Sequence, residues 1–153
     1  MNQDALPPTP VSEQGPLAWS DELLLGYPPM DHRHEEFVAC LGDLQRAPDE
    51  ILLVALDAMI DHLAAHFGEE DRWMGESGFP PRQCHVDEHA AVLRSAAEVR
   101  ALLLQGEMAP CRRLADALED WFPGHATHLD SALAHWMCKA QLGGKPVVLR
   151  RRS

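Results

Sequence analysis

The chain has 153 residues, 46% apolar and 24% charged, the size and composition of a single globular domain and not of a disordered segment. Thirteen basic residues against 24 acidic ones leave a formal net charge of -11, which repels phosphate backbones and excludes general nucleic-acid binding. No uninterrupted apolar run reaches the roughly 20 residues of a bilayer span, and Met1–Ser20 lacks the basic start and apolar core of a signal peptide. The expected protein is therefore cytoplasmic, with no membrane role.

Pro7, Pro8, Pro10, Pro16 and Pro28 mark residues 1–28 as an N-terminal arm that cannot hold a long helix. Trp19, Leu23, Leu24 and Leu25 are the residues able to anchor its later part. The first helix is expected over 31–46, where Phe37, Leu41 and Leu44 recur at helical spacing. Pro48 suits the first turn of a second helix over 49–75, striped by Leu52, Leu56, Met59, Ile60, Leu63 and Phe67. The run Gly75 to Pro81 is a stop and restart. A third helix over 82–105 carries Val92, Leu93, Ala96, Val99 and Leu103 and ends near Gly106. Pro110 opens a fourth over 110–142, with Leu114, Leu118, Trp121, Phe122, Leu129, Leu133 and Trp136 on one face and Gly143-Gly144 as its stop.

Four helices with short connections predict an all-α, up-down-up-down antiparallel four-helix bundle over 29–143. A basic tail, 144–153, follows and ends in Arg150, Arg151 and Arg152. The four cysteines form no Cys-x-x-Cys pair and read as reduced, buried small hydrophobes.

The chemistry sits inside the apolar stripes. His66 and Glu70 are four apart on the second helix, and His85 and His89 are four apart on the third, so each pair shares a helix face. His34 lies on the side of Phe37, and His125 and Asp130 lie beside Trp121, Phe122 and Leu129. Burying such groups without partners costs about 1–3 kcal/mol each. A bound metal removes that cost, because imidazole and carboxylate suit iron, manganese and zinc. Five His and two carboxylates are too many for one tetrahedral zinc. They suit two ions sharing both carboxylates and a solvent-derived bridge, which leaves one position open on the ion with two His. Asp130 lies five residues after His125, about 140° around an ideal helix. A bend or π-type bulge near Pro123-Gly124 would re-aim the pair. His62, one turn before His66, is a candidate pocket wall or hydrogen-bonding neighbour. His32, His128 and His135 read as surface residues.

The order His34, His66-x-x-x-Glu70, His85-x-x-x-His89, His125-x-x-x-x-Asp130 resembles the hemerythrins, in particular their bacterial single-domain members. Trp19, Asp31-x-x-His34, His66-Phe67 with Glu69-Glu70, and Trp121-x-x-x-His125 add to the likeness, which spans about residues 19–140. The resemblance implies a non-haem, oxo- or hydroxo-bridged di-iron centre that binds dioxygen reversibly. His85, His89 and His125 would hold the full iron, His34 and His66 the open one, and Glu70 and Asp130 would bridge. The leading expectation is an oxygen carrier, store or supplier and not an enzyme, with at most a weak side activity, monomeric or weakly oligomeric. An oxygen or redox sensor acting through a separate partner, or a di-iron enzyme of peroxidase, nitric-oxide reductase or iron-repair type, are the alternatives. No Glu-x-x-His pair of the ferritin-like oxidases occurs.

Overall fold

The computed structural model describes residues 17–144 and Val148. The first part of the expected arm and the arginines of the tail lie outside the described residues. Four long helical rods form the body: α1 (Pro28–Arg46), α2 (Leu52–Ser77), α3 (Arg82–Leu104), and a fourth rod made of α4 (Ala109–His125), a π-helical segment (Ala126–Asp130) and α5 (Ser131–Gln141). No strand occurs among the described residues. Each rod packs on its chain neighbours, and α4 returns to pack on α1, which closes the ring of four. Connections of four or five residues force successive rods to run antiparallel.

The ends follow from local chemistry. Pro28 and Pro29 start α1, three residues earlier than the apolar pattern suggests, because a proline costs nothing in the first turn of a helix. Pro48 does not open α2 directly. It precedes a short 3-10 turn, Asp49–Ile51, that leads into the helix. Gly75 does not stop α2 either; the helix runs on to Ser77 and ends at Gly78, whose φ of 69° is the left-handed cap that suits glycine.

With its lead-in turn, Asp49–Ser77 is long and apolar enough to cross a membrane by length and composition alone, contrary to expectation. Its apolar stripe is spent on the core instead: Leu52, Leu56, Met59, Leu63, Phe67 and Met74 are all buried.

The core has two apolar clusters. One is built from Phe37, Leu41, Leu44, Leu52, Leu56, Met59, Leu63, Phe67, Leu114, Leu118 and Phe122. The other contains Tyr27, Met30, Met74, Phe79, Leu133, Ala134 and Met137. Between them every rod carries polar side chains inward: His34 follows Met30, Glu70 precedes Met74, His85 follows Phe79, and Asp130 precedes Leu133. A buried polar layer thus separates two dry ends. On α3, Ala96 is buried, while Val92, Leu93, Val99 and Leu103 are partly covered.

The chain ahead of α1 is tied down. Leu17, Trp19 and Leu23 pack on the larger cluster, and the Leu17 amide donates to Glu119 Oε1 at 3.0 Å. Asp31 accepts from the Leu25 and Gly26 amides at 2.7 and 3.0 Å, which fixes the approach to α1. Cys111 and Cys138 are buried as expected, but Cys40 is half-buried and Cys84 is exposed. Cys84 lies in the first turn of α3, one residue before His85, and faces away from the core.

Candidate metal centre

The layer brings all seven sequence-nominated residues together. His34, His66, Glu70, His85, His89, His125 and Asp130 are each at most 4% exposed. Glu70, His85, His89, His125 and Asp130 present ligand atoms within 4.8 Å of one another, and so do His34, His66 and Glu70. The remaining histidines behave differently: His32, His128 and His135 are exposed, and His62 is buried one turn from His66.

A helical irregularity makes this convergence possible. The Ser131 amide donates to the Ala126 carbonyl, five residues back, in place of the ordinary four. That wide turn takes up the extra residue between His125 and Asp130 and points both inward. The irregularity anticipated near Pro123-Gly124 therefore lies just beyond them, at Ala126–Asp130.

The two carboxylates divide the histidines. Glu70 Oε1 lies 3.0 Å from His66 Nε2 and 3.6 Å from His34 Nε2. Glu70 Oε2 lies 3.2 Å from His89 Nε2 and 3.4 Å from His85 Nε2. Asp130 Oδ2 lies 3.0 Å from His34 Nε2. Asp130 Oδ1 lies 2.9 Å from His85 Nε2 and 3.2 Å from His125 Nε2. Each carboxylate thus sends one oxygen to a two-His group and the other to a three-His group.

Of these contacts His66 Nε2 with Glu70 Oε1 has hydrogen-bond geometry, whereas most of the others do not. Nδ1 and Nε2 of both His34 and His85, Nδ1 of His66, Oε2 of Glu70 and both oxygens of Asp130 are buried without an aligned partner. They aim at shared points and not at one another. Neighbouring ligands on an ion with bonds of about 2.1 Å sit about 3 Å apart, which is the spacing found here. Imidazole and carboxylate donors in this number fit two first-row transition ions. The residues present therefore fit a di-metal group.

The electrostatics of the metal-free cluster follow from the same geometry. Burial disfavours protonated His34 and His85, but Asp130 and Glu70 outweigh it and hold both rings up at about 9. Burial likewise works against the ionised carboxylates, yet the surrounding imidazoles keep Glu70 and Asp130 below the usual carboxylate range. His62 has the half-exposed Glu36 3.6 Å from its Nδ1, which raises it too little to offset the other causes. Burial, and then His66, push it down to about 4.

Two supporting carboxylates escaped the sequence reading. Asp71 Oδ1 receives His89 Nδ1 at 2.8 Å. Glu88 Oε1 receives His125 Nδ1 at 2.8 Å and the Trp121 indole N–H at 2.7 Å. Burial raises Glu88, while the bonds from His125 and Trp121 pull it below its ordinary value. Such partners fix the ring orientation of a ligating histidine. The available signal was adjacency: Asp71 follows Glu70, and Glu88 precedes His89. Aromatic rings complete the support, with Phe67 stacked on His89 at 4.1 Å and Trp121 on His125 at 4.2 Å between centroids.

A family profile described as hemerythrin HHE cation binding domain matches residues 25–136. A bacteriohemerythrin of Ralstonia nicotianae is 37% identical over 123 residues, 80% of this chain and 90% of that protein. A bacteriohemerythrin of Stenotrophomonas maltophilia is 28% identical over 122 residues, 77% of this chain and 79% of that protein.

Proposed function

The chain belongs to the hemerythrin family of cation-binding domains, and from that premise we propose that it binds dioxygen reversibly at two iron ions. The ligands are His34, His66, Glu70, His85, His89, His125 and Asp130. One observation carries the proposal: each buried carboxylate directs its two oxygens to different histidine groups. A carboxylate used that way bridges two ions; a single-ion site has no need of the division.

Bound iron supplies an open coordination position and the electrons that dioxygen takes up on binding and returns on leaving. The protein's part is asymmetric. His85, His89 and His125 with two carboxylate oxygens would hold one ion, whereas His34 and His66 would give the other fewer donors. Dioxygen therefore enters on the His34–His66 side. Phe37, Phe67 and Phe122 line that side and limit the entry of bulk water, which favours release of dioxygen over loss of a reduced product.

The test is an optical spectrum of anaerobic, iron(II)-loaded protein before exposure to oxygen, after it, and after oxygen is removed. A ligand-to-iron band that appears and then disappears, with two irons per chain throughout, is the expected result. Irreversible bleaching, or iron well below two per chain, would overturn the reading.

A further inference from the structure

Five rings close a circuit beside His66. Phe37 meets His62 at 6.2 Å, His62 meets His66 at 5.2 Å, and His66 meets Phe67 at 5.4 Å between centroids. Phe67 meets Trp121 at 6.0 Å, and Trp121 meets Phe37 at 6.5 Å. Residues from α1, α2 and α4 thus enclose the space next to the two-His group.

Within the circuit the polar atoms are few. The Trp121 N–H is committed to Glu88, and His66 Nε2 faces Glu70. His66 Nδ1 and His62 Nε2 are buried without partners. His66 Nδ1 is the back of a ligand ring. His62 Nε2 has no role in the proposed centre, and an unpaired buried polar atom costs about as much as a lost hydrogen bond.

The other edge of the His62 ring explains its orientation. Nδ1 lies 3.6 Å from Glu36 Oε2. Glu36 is itself held by Arg33 at 3.1 Å and His32 at 2.9 Å. At 3.6 Å the carboxylate is beyond hydrogen-bond range, but its charge favours the ring proton on Nδ1, which leaves the lone pair on the buried Nε2. A neutral imidazole offers one donor and one acceptor, and here the acceptor faces inward.

We propose that His62 Nε2 accepts a hydrogen bond from the exogenous ligand on the His34–His66 side, and so selects small oxygen ligands that carry a proton, water first, over bare anions such as azide. The proposal rests on the di-iron reading above. Glu36 acts as a positioning residue that sets the ring tautomer. His62 Nε2 is the unpartnered acceptor of a mostly aromatic enclosure, and it discriminates by the direction of its hydrogen bond.

The experiment is azide titration of the oxidised, iron-loaded full chain as wild type, His62→Leu and His62→Gln, with iron content measured on each. Leucine removes the acceptor, so bound water is held less firmly and azide binds roughly three- to tenfold tighter, as expected for one hydrogen bond. Glutamine supplies an amide oxygen and restores the wild-type dissociation constant within about twofold, a rescue that a purely structural role does not produce. Leucine within twofold of wild type, or leucine and glutamine shifting together, overturns the proposal. So does loss of iron in both variants, which makes His62 a structural group. If leucine alone loses iron, His62→Phe refills the circuit without a lone pair and decides by the same criterion. Wild-type protein that does not hold two irons instead defeats the di-iron reading itself.

Discussion

The two halves of the centre are built differently. On the three-His side, His89 is tied to Asp71 and His125 to Glu88 through the ring edges that face away from the centre. Phe67 and Trp121 lie flat against those two rings. On the two-His side neither His34 nor His66 has a partner at Nδ1, and the nearest rings meet them edge-on or tilted, with Phe122 5.1 Å from His34. One half fixes two of its three rings from behind, His85 being without a partner at Nδ1; the other half leaves both of its rings in an apolar surround. Rigid ligands suit an ion that keeps a constant set of donors. Less constrained ligands suit an ion that gains and loses one.

The largest effect comes from the groups that join the halves. Glu70→Ala or Asp130→Ala removes an oxygen from both histidine groups and leaves imidazoles buried with no counter-charge. Either variant is expected to lose at least one of two irons, and elemental analysis reads this directly. Two tightly held irons in either variant would break the bridging assignment and the comparison built on it.

Next comes the response to pH, which takes opposite signs with and without metal. In the metal-free protein His34 and His85 are raised to about 9, against about 6.5 for an unperturbed histidine. Their contribution to stability is complete below about pH 6.5 and is lost as pH rises through about 9. Glu70 and Asp130 are lowered, so theirs is present above about pH 4 and is lost as pH falls further. Ions require the imidazoles free of protons, so metal affinity weakens as pH falls, by about tenfold per unit for each histidine that must lose a proton. Chelated protein should therefore melt at lower temperature as pH rises from 6.5 to 9, while iron-loaded protein does not. A flat profile for the chelated form would remove His34 and His85 from contact with the carboxylates.

The sequence carried the proposed ligands because they interrupt apolar stripes at helical spacing, and a polar residue on a core face needs a partner. His34, His66, Glu70, His85 and His89 were readable in this way. Asp130 was readable as a residue type but not as a geometry, since five residues from His125 on a regular helix would turn it away; the wide Ala126–Asp130 turn resolves that. Asp71 and Glu88 were hidden because they are half-exposed acids in an acidic chain, and only the tertiary contact between α2, α3 and α4 gives them a function. Helix ends drifted by a few residues where proline and glycine offered two equivalent places to start or stop.

A middle-sized effect sharpens the comparison between halves. Glu88→Gln and Asp71→Asn keep size but weaken the hold on His125 and His89, and such partners are worth about 10- to 100-fold in metal affinity. Both acids are partly exposed, so the expected loss is near tenfold, measured by chelator competition, and confined to one ion of the two. Equal loss of both ions would show that the halves are not independently supported. On the other half, Leu63→Ala opens space in the buried apolar cluster one turn before His66 without replacing a proposed ligand. It is expected to leave iron content unchanged and to speed oxidation of the oxygenated protein several-fold, followed by the decay of its optical band. An unchanged decay rate would mean that water reaches the site by another route.

The smallest effect concerns what holds the wide turn in place. Pro123 removes an amide that would bond to the Glu119 carbonyl, so it lowers the stability of α4. The five-residue hydrogen bond, however, runs from Ser131 to Ala126, wholly on the far side of the proline. Asp130 is fully buried among three imidazoles, and turning it outward would abandon those contacts and leave a gap beside Leu133. The packing of Asp130, and not the proline, therefore holds the turn. Pro123→Ala is expected to keep two irons per chain and to raise the melting temperature by a few degrees, about what 1–2 kcal/mol provides in a chain of this length. Loss of iron in Pro123→Ala would reverse the assignment: the proline would then seed the turn, and the register of the whole site would depend on a residue that faces solvent.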